Sequence, residues 1–185
     1  GRGPAQFERP NGLAVSGDLL WVVERDGRRV QVLQLPAFTP LGSYGEDDLV
    51  KPYGVTIADQ GAGRYRTWIT DSYELVADAV PPDSALGRRV REYQVVVEGG
   101  RATAKLLRTF GDTTGAGVLR VVESIMADPV NDQLLIAEEL EGASQLKRYT
   151  LTGRFTGDTV PQRFFPNQAE GIVLYACGDT AGYWV

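Results

Sequence analysis

"VESIMADPVNDQLLIAEELEGASQLKRY" (122–149) and "QAEGIVLYACGDTAGYWV" (168–185) are written to one pattern. Each sets a glutamate just before a small residue and an apolar run. Each then turns and enters a second apolar run. The first pair of runs ends on two acids, Glu138 and Glu139; the second reaches Val185, where the matching acid is expected next.

The same pattern occurs twice more upstream. "RPNGLAV" (9–15) and "KPYGVTI" (51–57) align with "VVESIMA" (121–127) and "QAEGIVL" (168–174). A second run follows each: "LLWVVER", "TWITDS", "LLIAEE" and "GYWV". Three copies carry a third run, "RRVQVLQL", "RRVREYQV" and "SQLKRYTL", and the first two a fourth, at "LGSYG" and "AKLLRTFG". The runs are short and rich in Val, Ile, Leu, Tyr and Trp. Gly, Asp, Asn and Pro separate them, which is the chemistry of strands and hairpins. No 3.6-residue apolar period persists beyond about 12 residues, so few helices are expected. The exception is "ELVADAVPPDSALG" (74–87), read as a long loop inserted in the second repeat, with at most one helical turn.

Four-stranded units repeated every 40–60 residues or so are the blades of a β-propeller. A blade cannot bury both faces alone, so blades stack around an axis. The expected fold is all-β: one β-propeller domain over 1–185, with about three blades and the start of a fourth. That is part of a ring, which is expected to continue in a longer chain or to be completed elsewhere.

Composition narrows the chemistry. The chain has 185 residues, a net charge of −5, one cysteine and no histidine. Ser-His-Asp triads, Cys-His pairs and histidine-ligated zinc are excluded. Catalysis must use carboxylates, Lys/Arg, Tyr, hydroxyls or an oxygen-bound metal. Cys177 has no internal disulfide partner and reads as a small buried residue on or near a strand. The acidic balance argues against nucleic acid and anionic membranes as partners and suits cations. No run approaches the ~20 apolar residues of a membrane span, and no signal peptide is visible.

In a propeller, aligned positions become spatial neighbours. Aligning the first runs puts Asn11, Tyr53, Glu123 and Glu170 in one column around the channel. Aligning the second puts Glu24, Asp71 and Glu138 in another. Carboxylates converging on one cavity repel each other unless a cation or proton lies between them, and calcium takes six to eight oxygens in forgiving geometry. Glu24 has Arg25, Arg28 and Arg29 nearby and reads as a salt-bridging residue. Asp71 reads equally as a ligand or as a turn-fixing acid. Asn11 and Tyr53 read as structural.

The segment 118–185 resembles the β-propeller phytases, in the Glu before an inner strand, the "IAEE" strand end, the basic-aromatic "LKRY" strand and the following "EGIVLY…GYW". The opening blade, "GPAQFERPNGLAVSGDLLWVVERDGRRVQVLQL" within residues 1–40, resembles NHL-repeat propellers, which are often binding scaffolds. The phytase resemblance implies a calcium-dependent phosphomonoester hydrolase acting on inositol hexakisphosphate or a related phosphorylated small molecule. It makes Glu123, Glu138 and Glu170 catalytic candidates. Glu123, Glu138, Glu139, Glu170 and Asp71 become candidate calcium ligands. It also implies a secreted or periplasmic location. Arg25, Lys147 and Arg148 are open to two uses, phosphate contact or pairing with acids. Serine at 124 stands where that family usually has glycine. Two other readings stay open: a non-catalytic NHL-like scaffold binding protein or carbohydrate, and a lactonase-type calcium propeller in which Asn11 would be a ligand.

Overall fold

Three four-stranded antiparallel sheets and a two-stranded sheet follow one another along the chain, each a meander of consecutive strands. The computed structural model describes residues 1–185 apart from Arg2, Leu75, residues 77–79, Phe165, Pro166 and Glu170. Blade I holds β1 (Pro10–Ser16), β2 (Leu19–Glu24), β3 (Arg29–Gln34) and β4 (Thr39–Tyr44). Blade II holds β5 (Pro52–Asp59), β6 (Arg64–Asp71), β7 (Val90–Glu98) and β8 (Arg101–Phe110). Blade III holds β9 (Val122–Asp128), β10 (Gln133–Glu138), β11 (Gln145–Tyr149) and β12 (Phe155–Pro161). Blade IV is the hairpin β13 (Leu174–Ala176) and β14 (Gly182–Trp184). The only helices among the described residues are two short 3₁₀ turns, Asp83–Arg88 and Gln162–Phe164.

The second strand of blade III lies between blades II and IV, with Leu134 and Ile136 in one seam and Leu135 and Ala137 in the other, which is why "QLLIAE" reads as a continuous apolar run rather than an alternating one. Turn chemistry closes the hairpins. Gly99 and Gly100, both at positive φ (59° and 76°), make the two-residue loop between β7 and β8, the backbone that a tight right-twisting hairpin requires.

Successive blades bury apolar clusters between them. Trp21, Val23, Val30 and Val32 of blade I meet Val55, Ile69, Tyr93 and Val95 of blade II. The Tyr44 and Tyr93 rings cross that seam edge to face, 4.9 Å apart. Trp68, Val90 and Phe110 of blade II meet Val122, Ile125, Leu134 and Tyr149 of blade III, and the Trp68 indole N–H donates across the seam to the Leu151 carbonyl (3.1 Å). Leu135, Ala137 and Leu146 receive Ile172 and Trp184 of blade IV.

First strands pack directly on one another, β1 on β5, β5 on β9 and β9 on β13, so they form the hub. Each of the three begins with the same bulge. Pro10 pairs with Glu24 and Leu13 with Val22; Pro52 pairs with Asp71 and Val55 with Ile69; Val122 pairs with Glu138 and Ile125 with Ile136. In each case one extra residue is placed on the first strand, which bends it and re-aims the side chains there. The bulged pairs are Asn11–Gly12, Tyr53–Gly54 and Glu123–Ser124, the positions aligned in the first sequence column.

The glycines have a steric reason. A Cβ on Gly12 would lie 2.4 Å from the Tyr53 carbonyl oxygen, and one on Gly54 would lie 2.5 Å from that of Glu123. Each hub glycine is thus the contact point for the backbone of the next blade. Thr70 closes the same joint: its hydroxyl accepts from the Gly54 N–H and donates to the Glu123 carbonyl.

Four details differ from the expectations. Blade III has a fourth strand, β12, whose "FTGDTVP" is mostly exposed and so carries no apolar run to read. Cys177 adjoins a strand but is exposed rather than buried. The pairing of Leu174 with Trp184 matches that of Ala127 with Leu134. Val185 is therefore the counterpart of Leu135, three residues short of the Glu138 position rather than adjacent to it. The 74–87 insertion contains a 3₁₀ helix at its end, while Leu75 and residues 77–79 lie outside the described residues.

Gly54→Val forces a branched side chain against the Glu123 carbonyl. It is expected to cost about 1–3 kcal/mol, lowering the melting temperature by roughly 2–12 °C for a domain of this size. Calorimetry against the parent checks this; an unchanged melting temperature would mean that the hub joint is not tight.

Candidate functional site

The second acidic column is built into the blades. Glu24, Asp71 and Glu138 close their strands at 0%, 0% and 2% exposure. Asp71 accepts from the backbone N–H groups of Val50 and Lys51, at 2.9 and 2.7 Å. Glu138 accepts from those of Arg120 and Val121, at 2.5 and 2.8 Å. Glu24 accepts from the Glu8 N–H at 2.8 Å and from the Arg29 side chain at 2.6 Å. In each of the three full blades the acid therefore grips the segment that leads into that blade's own first strand. A donor on the third strand backs each acid. Gln31 donates to Glu24 at 2.7 Å, Arg91 lies 3.6 Å from Asp71, and Lys147 lies 3.8 Å from Glu138.

These bonds give Asp71 the turn-fixing role that was the alternative to its ligand reading, and they engage Glu138 inside its own blade. Their oxygens are engaged by backbone amides and a buried cation within their own blades. Burial raises the Asp71 carboxyl above its ordinary range, and the Lys51 and Val50 amides pull it back. Burial lowers the Lys147 ammonium, and Glu138 opposes that shift. The pairing reading holds for the cations too: Arg25 pairs with Glu74, Lys147 with Glu138, and Arg148 with Asp158 at 3.1 Å. The salt-bridge reading of Glu24 also holds, through Arg29.

The residue after each acid forms a column that the sequence reading missed. The N–H groups of Arg25, Ser72 and Glu139 donate to the carbonyls of Arg9, Lys51 and Val121, at 3.0, 2.9 and 2.7 Å. These bonds set all three beside the hub bulges. The signal was present in "VER", "TDS" and "AEE", but the acid before each drew the alignment.

Together the two columns form one mouth. Blade I brings Asn11 and Arg25, blade II Tyr53 and Ser72, blade III Glu123 and Glu139. The Arg25 guanidinium lies over the Tyr53 ring, 5.6 Å from its centre. The Tyr53 phenol interacts with the side chains of both Glu123 and Asn11. Burial first, then the Glu123 hydrogen bond and charge and the Glu139 charge, push its pKa up to about 12, while Asn11 works the other way. Glu123 is half-buried and Glu139 is buried.

Glu123 and Glu139 line a single cavity of about 1110 Å³, together with Tyr53, Glu74, Glu141 and Ser144. Gln162, Asn167 and Gln168 add amide groups. The Ser144 hydroxyl is 1% exposed and has no hydrogen-bond partner among the described residues. Among the described residues no three acids stand close enough to hold an ion by themselves. An ion here would need the serine, amide or ligand oxygens as well. The donors are all oxygen-bearing groups, which suits a hard cation such as calcium. Glu170 lies outside the described residues.

No family model and no curated protein matches the chain. Solved structures do match. A chain of the nidogen/laminin complex is 16% identical with a TM-score of 0.57, over 88% of this chain and 51% of that one. The Kuenenia stuttgartiensis hydrazine synthase is 12% identical with a TM-score of 0.48, over 90% of this chain and 39% of that one. The chain therefore spans about half the length of the first of these structures and less of the second. The class so defined is the all-β propeller.

Two outcomes are expected. Glu138→Ala leaves the Lys147 amine buried without its counter-charge and should cost about 3–5 kcal/mol, and adding Lys147→Met should recover part of that loss. Denaturant unfolding of the single and double variants measures it; a double variant as unstable as the sum of two singles would deny the coupling. Glu123→Gln removes an acceptor and a charge from Tyr53. Its phenol should then ionise below the parent's value yet above the ordinary 10.0, because burial remains the largest cause. An ultraviolet titration of tyrosinate, differenced against Tyr53→Phe, reads the shift.

Proposed function

We propose that this chain is an arc of a phytase-like, calcium-dependent phosphomonoester hydrolase acting on inositol hexakisphosphate or a related phosphorylated small molecule. One observation carries the reading: Glu123 and Glu139, sixteen residues apart and from two different columns, line one acid-rich cavity at the hub mouth. Glu170 aligns with Glu123 in the sequence and lies outside the described residues. The resemblance of 118–185 to the phytases supplies the reaction, and the absence of histidine from the chain is compatible with it.

In this reading Glu123 and Glu139 hold calcium, with the Ser144 hydroxyl and Glu74 or Glu141 completing an oxygen shell. When bound, calcium supplies neutralisation of the phosphoryl oxygens and acidification of water. The chain's own residues do the rest. Tyr53, held protonated, orients the Glu123 carboxylate through its hydrogen bond. The bulge at Glu123–Ser124 keeps that carboxylate at the mouth rather than in the blade. Backbone bonding of Glu139 to Val121 fixes the second carboxylate relative to the first. The blade staples, Glu138 included, hold the segments that carry both. The phytase resemblance also carries the expectation of a secreted or periplasmic protein.

The test is phosphate release from inositol hexakisphosphate with calcium, with chelator, and in Glu123→Gln and Glu139→Gln. Activity should need calcium and fall by about 10- to 100-fold or more in either variant, with melting temperatures little changed. Activity indifferent to chelator would remove the proposal. Calcium binding without phosphate release would shift it to the scaffold or lactonase-type reading.

A further inference from the structure

The cavity at the mouth has two kinds of wall. Glu123 and Glu139 belong to the hub side of blade III. Gln162, Asn167 and Gln168 belong to the connection that follows β12. Gln162 opens the 3₁₀ turn there. The pairing of Gln145 with Pro161 sets it close to Ser144, whose hydroxyl is buried without a partner among the described residues. Gln168 is tied to the acid side, because its Nε2 donates to the Glu139 carbonyl at 3.0 Å. That bond holds the amide wall against the segment that carries the second carboxylate.

The two walls differ in charge and in hydrogen-bonding capacity. Ionised carboxylates only accept, and they attract cations. Side-chain amides are neutral, and each presents an acceptor and two donors in one plane. Val121 and Leu140 add apolar surface, and no lysine or arginine stands among the described residues that line the cavity. A phosphate or carboxylate pressed on the amide wall would lack a counter-charge there, which makes its burial costly. A hydroxyl suits that wall, because it donates and accepts without charge. Neighbouring hydroxyls on one ring match the paired groups of one amide. A cavity of about 1110 Å³ has room for such a ring beside an ion.

We propose that the amide wall is a subsite for a neutral polyol ring, held through its free hydroxyls by Gln162 and Asn167 next to Ser144. This binding needs neither calcium nor phosphate. What it adds to substrate choice rests on the phosphohydrolase reading: the reacting phosphate faces Glu123 and Glu139, and unphosphorylated positions of the ring face the amides.

Saturation-transfer magnetic resonance with myo-inositol, titrated in the presence of chelator, reads this subsite alone. The parent should transfer saturation to the ring protons. Gln162→Leu combined with Asn167→Leu should weaken binding at least about tenfold, with circular dichroism unchanged. Asn167 is exposed, so Asn167→Asp, which keeps the shape and loses the donors, should weaken binding without disturbing the fold. Phosphate release is assayed separately, so a chain that binds inositol without hydrolysing phosphate sustains this proposal while removing the phosphohydrolase. No transfer in the parent, or transfer undiminished in the double variant, would overturn it.

Discussion

A buried carboxylate at the end of the second strand of each full blade organises this molecule. Taking such a charge out of water costs several kcal/mol unless its lone pairs are met. Glu24, Asp71 and Glu138 meet theirs with backbone amides from the segment entering the blade, and with Gln31, Arg91 or Lys147 from the third strand. The chain would otherwise leave those amides unsatisfied where it passes from one blade to the next. The staple thus fixes the start of every first strand, and with it the hub. It also explains why acids recur at that position without forming a metal cluster.

The hub bulge does the complementary work. It lifts one side chain out of the sheet's alternation and offers it to the channel mouth, while the next residue supplies close contact to the neighbouring blade. Glycine meets that demand in blades I and II through size rather than through unusual φ. Side-chain identity at the lifted position is therefore free to vary from Asn to Tyr to Glu. So is the position after the staple acid, which runs from Arg to Ser to Glu. The mouth passes from a cationic edge at blade I to an anionic one at blade III on a constant scaffold.

That gradient gathers the acids on one side of the mouth. Arg25 is held by Glu74 and by the Tyr53 ring, while Glu123 and Glu139 have a protonated phenol as neighbour and a large cavity before them. Converging negative charge is the electrostatic setting in which a divalent ion lowers the energy of a site. A phosphorylated substrate would approach such a mouth only with cations in place, because bare carboxylates repel it.

The sequence by itself determined the blade. Its short apolar runs, its turn residues and the spacing of its repeats state the local hydrogen-bonding and burial pattern, and those are properties of neighbouring residues. It also placed Glu123 at the hub, since a column in an alignment of repeats becomes a column in space. It could not tell Glu138 from Glu139. The two adjacent acids look alike in "IAEE", yet strand alternation turns the first into its blade to meet two amides and a lysine, while the second, past the strand's end, reaches the cavity. β12 was equally hidden, because an outer strand facing water needs no apolar run. Which carboxylate grips the backbone and which lines the cavity depends on where distant backbone groups arrive, and only the packed blades decide that.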